Sequence, residues 1–150
     1  MAYPASIQSS IIIEATVQNV WEYLTVPTLM KTWMAEPELQ LEIQTSWMIG
    51  SSILMNGFHT SNFQNKGKVL CFNPPYQLQY THLNSLSNLT DDEENYTHIN
   101  FQLKPFAQQT LLFIELSNFP TETIYKHLHL YWISTLTLLK EIIESRNTIH

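Results

Sequence analysis

The amino-acid sequence predicts an α+β fold: a curved, mostly antiparallel sheet of about seven strands, two short helices near its start and one long C-terminal helix, in the order β-α-α-β6-α. Two periodicities and their order along the chain predict it. Between Pro37 and Ser117 apolar residues recur mainly at every second position, broken by turn residues. From Thr121 to Ser145 they recur at every third or fourth. Because strands follow strands with no helix between them, neighbours join as hairpins and the helices gather on one side.

Taken in order, Ser6 to Glu14 contains Ile7 and the run Ile11-Ile12-Ile13, a β-branched first strand. Val17, Val20, Trp21 and Leu24 then form one stripe of a short helix, with Thr16 as its N-cap. Pro27 ends that helix, since proline lacks a donor and disfavours helix in the residue before it. Thr28 to Trp33 read as a second short helix. Leu39, Leu41 and Ile43 alternate with polar neighbours as a strand; Ser51 to Asn56 follow Gly50, and Gly57 is expected to start a loop. Lys66 to Phe72 form a strand stopped by Asn73-Pro74-Pro75, and Leu78, Tyr80 and His82 mark the inner face of the next. A polar loop from Asn84 to Asn95 leads to Thr97, Ile99, Phe101 and Leu103, again alternating. Thr110 to Ser117 are apolar on both parities, which suits a strand that is central or covered on both faces. Last, Tyr125, Leu128, Trp132, Leu136, Leu139 and Ile143 line a helix of about 25 residues, roughly 37 Å long. Residues 1–150 are read as a single domain, with no repeat or linker.

Composition narrows the function classes. Only 13% of residues are charged, about half the usual share, whereas Ser, Thr, Asn and Gln together number 48. Much of the Gln and Asn falls on the outward parity of the strands, at Gln40, Gln44, Gln77, Gln79, Asn100 and Gln102, so the aromatics are left for the concave side. A net charge of −6 without a Lys/Arg cluster argues against nucleic acid as a partner. No apolar run reaches the roughly 18 residues a membrane span needs, and the N-terminus lacks signal-peptide character, so a cytoplasmic location is expected. The single Cys71 fits a reducing compartment.

Three local motifs, in the right order, carry a resemblance. Ile13-Glu14-Ala15, Val20-Trp21, Leu24-Thr25-Val26-Pro27 and Trp33 form the first; Gly67-Lys68-Val69-Leu70 through Asn73-Pro74-Pro75-Tyr76-Gln77-Leu78-Gln79-Tyr80 the second; Ser117-Asn118-Phe119-Pro120 with Tyr131-Trp132 and Leu138-Leu139 the third. Together they resemble the START-like, or SRPBCC, superfamily with its helix-grip fold. The closest branch is the family similar to the C-terminal domain of the activator of the heat-shock-protein-90 ATPase. Gly50 stands where that family often has a glycine pair. The resemblance implies one of three functions: non-enzymatic binding of a small hydrophobic molecule, a protein-interaction role toward the chaperone, or a cyclase- or hydrolase-type reaction.

A long helix over a curved sheet meets it loosely in the middle, where large side chains can line a cavity. By parity and stripe the candidates are Trp33, Tyr80, Phe101, Leu128, Tyr131 and Trp132, with His82 and Thr135 as polar members; the competing reading is that they simply fill the core. No cofactor, catalytic constellation or metal set is expected. His127 and His129 point about 200° apart on a helix, and His82 and His98, which can approach if their strands pair, have no third ligand. Cys71 reads as a small buried hydrophobe, Glu115 as a carboxylate on the outer face or at a strand end, and Asp91-Asp92-Glu93-Glu94 as a solvated loop. An enzyme would need a perturbed acid or base inside the cavity.

Overall fold

A computed structural model describes residues 3–147. The first strand, β1 (Ser6–Ile13), is followed by α1 (Val17–Thr25) and α2 (Pro27–Met34). Then come β2 (Glu42–Thr45), β3 (Ser52–His59), β4 (Ser61–Asn73), β5 (Gln77–Asn84), β6 (Thr97–Phe106), β7 (Gln109–Ser117) and α3 (Glu122–Asn147). The strands form one seven-stranded antiparallel sheet in the order β1-β7-β6-β5-β4-β3-β2. Thus the first strand pairs with the last, and every other pairing is a hairpin neighbour. This is the α+β helix-grip arrangement expected from the sequence.

Local chemistry accounts for the helix boundaries. The Thr16 hydroxyl accepts a hydrogen bond from the Asn19 amide at 3.1 Å, capping α1. Pro27 ends α1 and also opens α2, where its missing donor costs nothing. The two helices are tied together by the Trp33 indole, which donates to the Tyr23 carbonyl at 2.8 Å.

In two places the strands depart from expectation. Leu39 lies not in a strand but in a 3₁₀ turn, Pro37–Leu39, closed by Gln40 in the left-handed region, so β2 starts only at Glu42. Proline at the first position of a turn and an exposed glutamine after it outweigh the alternation. Gly57 does not start a loop; it sits inside β3, paired with Phe63, and β3 and β4 continue as a ribbon to a tight turn at Thr60. There the ribbon has passed the core's edge: Phe58, His59, Ser61 and Asn62 are all exposed, so no buried face prints a period-two pattern. β7 is central, between β1 and β6, one of the two placements its apolar parities suggested, and its residues alternate buried and half-buried.

Curvature enters through β4. A bulge between Val69 and Cys71 shifts its register with β5, and beside it a Cβ on Gly67 would meet the Thr81 carbonyl oxygen at 1.6 Å. Only glycine permits that approach. The core lies between the concave face and the helices, with Ile13, Val20, Met30, Leu112, Leu116, Leu139 and Ile143 fully enclosed. On the convex face Gln77 donates to Asn100 at 3.0 Å, and Glu115 accepts from Gln8 at 2.7 Å, which places the Glu115 carboxylate outside as expected. The backbone of α3 comes closest to β1 and α2. No helix among the described residues is long and apolar enough to cross a membrane.

Candidate functional site

The sheet contributes one wall of the site through strand parity. In β5, Leu78, Tyr80 and His82 face the concave side; in β6, opposite residues share a face, so Thr97, paired with His82, and Ile99, paired with Tyr80, face the same way. Met55 joins them from β3. The facing wall is the N-terminal half of α3, where His127, Leu128, Tyr131 and Trp132 recur at helical spacing. Met34 and Ala35 at the end of α2 and Leu39 in the 3₁₀ turn close one side. Between these walls lies a pocket of about 550 Å³. Exposed His59, Leu86, Thr123 and His127 stand at its mouth.

An aromatic train backs the pocket, with Trp132 and Tyr80 as its members that border it. Trp132 lies 6.1 Å from Trp33 and 5.7 Å, edge-on, from Phe101; Phe101 lies 6.3 Å from Tyr80, and Tyr80 6.2 Å from Trp47. Such tilted and edge-on contacts suit the ring quadrupole and hold the rings in fixed orientations. Of the residues singled out from the sequence, Tyr80, His82, Leu128, Tyr131 and Trp132 border the pocket. Trp33, Phe101 and Thr135 do not; they are buried behind it and support the wall.

The polar groups of the pocket divide by whether they have protein partners. The Tyr131 hydroxyl donates to the Met34 carbonyl at 2.6 Å, tying α3 to the end of α2. Asn84 donates to Asn65 at 2.6 Å and accepts from the Leu86 amide at 2.7 Å. By contrast the Tyr80 hydroxyl and the His82 ring have no hydrogen-bond partner among the described residues. Among the described residues no buried side-chain nitrogen or oxygen is sealed off without a partner, so both reach accessible space, and both line the pocket. Burial, with a smaller contribution from nearby His127, pushes the His82 imidazole down to about 4. Burial, reinforced by Tyr131, raises the Tyr80 phenol well above its usual range. Near neutral pH, then, both are uncharged. Tyr131 is pushed up to about 12, again mainly by burial.

His98 does not approach His82. It pairs with Thr81 and shares that residue's face, so the two imidazoles project from opposite sides of the sheet. His129 stacks on Tyr125 at 5.8 Å, away from His127. Among the described residues no three His, Cys, Asp or Glu side chains are gathered where they could hold a metal ion. Cys71 is half-buried beside the β4 bulge, and in the exposed acidic loop Asp91 pairs with Lys66.

Sequence reading missed Met34, Leu39, Met55, Leu86, Thr97 and His127. Parity marks Thr97 and Met55, and His127 stands one turn before Tyr131, so a signal existed for these three. Leu39 and Leu86 come from a 3₁₀ turn and its counterpart after β5, where no period points to a face.

Solved structures with the same architecture are numerous. A protein from Cytophaga hutchinsonii is 28% identical and superposes with a TM-score of 0.80 over 99% of both chains. One from Chromobacterium violaceum is 16% identical, with a TM-score of 0.81 over 95% of this chain and 99% of that one. The Aha1 dimer from Colwellia psychrerythraea is 23% identical, with a TM-score of 0.73 over 94% and 97%. No curated protein matches the sequence. The model of one family matches residues 14–144, from the end of β1 almost to the end of α3, and the chain therefore belongs to that family, described as Activator of Hsp90 ATPase homolog 1-like protein.

Proposed function

We propose that this chain binds a small hydrophobic molecule, lipid-like or aromatic, between the sheet and α3 and does not transform it. The observation that carries the reading is the pocket of about 550 Å³, within the size range of small-molecule sites, walled mainly by Met, Leu, Ile and aromatic side chains. The state of Tyr80 and His82, the partner-free titratable groups inside it, favours holding over catalysis. General acid–base work is most efficient when the pKa lies near the operating pH, and a histidine pushed down to about 4 and a phenol pushed up are each poor at it. The test is a thermal-shift screen with lipids and aromatic metabolites. A binder raises Tm with concentration by mass action; a broad screen without any shift overturns the reading.

A second reading, an interaction with the Hsp90 chaperone, is supported by the family match over residues 14–144 and by the likeness to Aha1. The exposed Leu130 and Ile133 on the outer face of α3 would be its contact residues. Adding the chain to Hsp90 and following ATP hydrolysis decides it: stimulation supports the reading, and an unchanged rate at saturating concentration removes it.

A further inference from the structure

Resting on the pocket-binding reading, we infer that the molecule taken up here is uncharged and carries a hydroxyl or carbonyl oxygen that exchanges hydrogen bonds with Tyr80 and His82 in a mainly apolar site. Two independent observations carry this. The first is the lining: among the described residues that border the pocket there is no Asp, Glu, Lys or Arg. Of the three histidines, burial keeps His82 neutral, and His59 and His127 stand exposed at the mouth, so an ion buried between the walls would lose its hydration and find no counter-charge beside it, the costliest form of polar burial. The N-terminal turn of α3 at the mouth does not supply one. Thr121 already caps it, accepting from the Ile124 amide at 3.1 Å, and Glu122 adds a negative charge there.

The second is the contrast among the polar groups. Tyr131, Asn65 and Asn84 spend their hydrogen-bonding capacity on the protein, whereas Tyr80, only 2% exposed, keeps its hydroxyl for the pocket. His82 stands two residues along the same face of β5. In its neutral form it offers one donor and one acceptor. A phenol and a neutral imidazole side by side match an oxygen that both accepts and donates, such as an alcohol, or one that accepts, such as a ketone. They offer nothing to a hydrocarbon and too little to a carboxylate. At a share of about 30 Å³ per water-sized volume, the pocket has room for a molecule of roughly 15–20 non-hydrogen atoms.

Three nearly isosteric probes separate the possibilities: naphthylmethanol, methylnaphthalene and naphthoate, titrated into the full chain at neutral pH with naphthalene fluorescence as readout. Naphthylmethanol is expected to bind about tenfold more tightly than naphthoate. Tyr80→Phe, which keeps the ring, should weaken naphthylmethanol about five- to tenfold and leave methylnaphthalene within about twofold. His82→Asn repeats the test should Tyr80→Phe fail to fold. Naphthoate binding as tightly as the alcohol overturns the inference while leaving the pocket reading intact. Equal effects of the substitution on alcohol and hydrocarbon do the same. If none of the three probes binds, this inference falls, and the broad thermal-shift screen alone decides the pocket reading.

Discussion

Toward its C-terminus α3 presses Leu136, Leu139 and Ile143 against the sheet, and two of these three are wholly enclosed. Its polar side chains are also anchored there: Lys140 donates to the Ile12 carbonyl at 2.7 Å, the Glu14 amide donates to Glu144 at 2.8 Å, and Arg146 lies over the Tyr23 ring. Toward its N-terminus the same apolar stripe continues through Leu128 and Trp132, but beneath it is the pocket. The two halves carry one periodicity and differ in what faces them. Near β1 the helix backbone is close; over β3, β4 and β5, where the bulged strand bends, it is not. Helical spacing thus reports that a face is turned inward, not how near the opposite wall stands.

The comparison breaks most readily by truncation in each half. Leu139→Ala should cost about 4 kcal/mol in urea unfolding, because a fully enclosed site cannot collapse around the lost atoms. Leu128→Ala, beside space that already exists, should cost about 2 kcal/mol. Equal losses would mean that the two halves are packed alike.

Acid should act on the open half. With its folded-state pKa lowered from 6.5 to about 4, His82 takes up its proton more readily in the unfolded chain. Its contribution is therefore complete above pH 6.5 and is lost as pH falls toward 4, by up to about 3 kcal/mol. His82→Gln should flatten the stability profile across that interval, and an unchanged slope would show that the imbalance lies elsewhere.

Smaller effects sharpen the contrast. Tyr131→Phe removes the bond that holds α2 to α3 at the pocket's edge and should cost about 1 kcal/mol by thermal unfolding. Lys140→Met removes the half-exposed pair with Glu144 and the exposed bond to the Ile12 carbonyl in the closed half; water competes for both, so it should cost only about 0.5 kcal/mol, shrinking further in salt. A reversed order would put the helix's anchoring in charge pairing at its C-terminal end.

Where a buried face runs along a regular element, its residues were legible in the sequence. The stripe from Leu128 to Ile143 and the alternations around Tyr80 and Phe101 all turn inward as read, because burial imposes the period of the element on the sequence. The ribbon beyond Gly57 was not legible, since both its faces meet water and nothing selects an alternation. Nor was the Pro37–Leu39 turn, whose single apolar residue falls in step with the strand that follows. At the site, parity could mark which side chains face the concave side but could not separate Tyr80 and Trp132, which border open space, from Phe101 and Trp33, which are covered.

By itself the sequence determined the family, the α+β order of elements and the inward faces, since propensity, proline and periodicity act within a few residues of one another. Only the tertiary structure decided where a gap remains between α3 and the sheet, and which polar groups in it lack a protein partner. That outcome depends on the bend of β4 at Gly67 and on contacts such as Tyr131 with Met34, 97 residues apart, and no local pattern encodes the distance between two walls that meet only on folding.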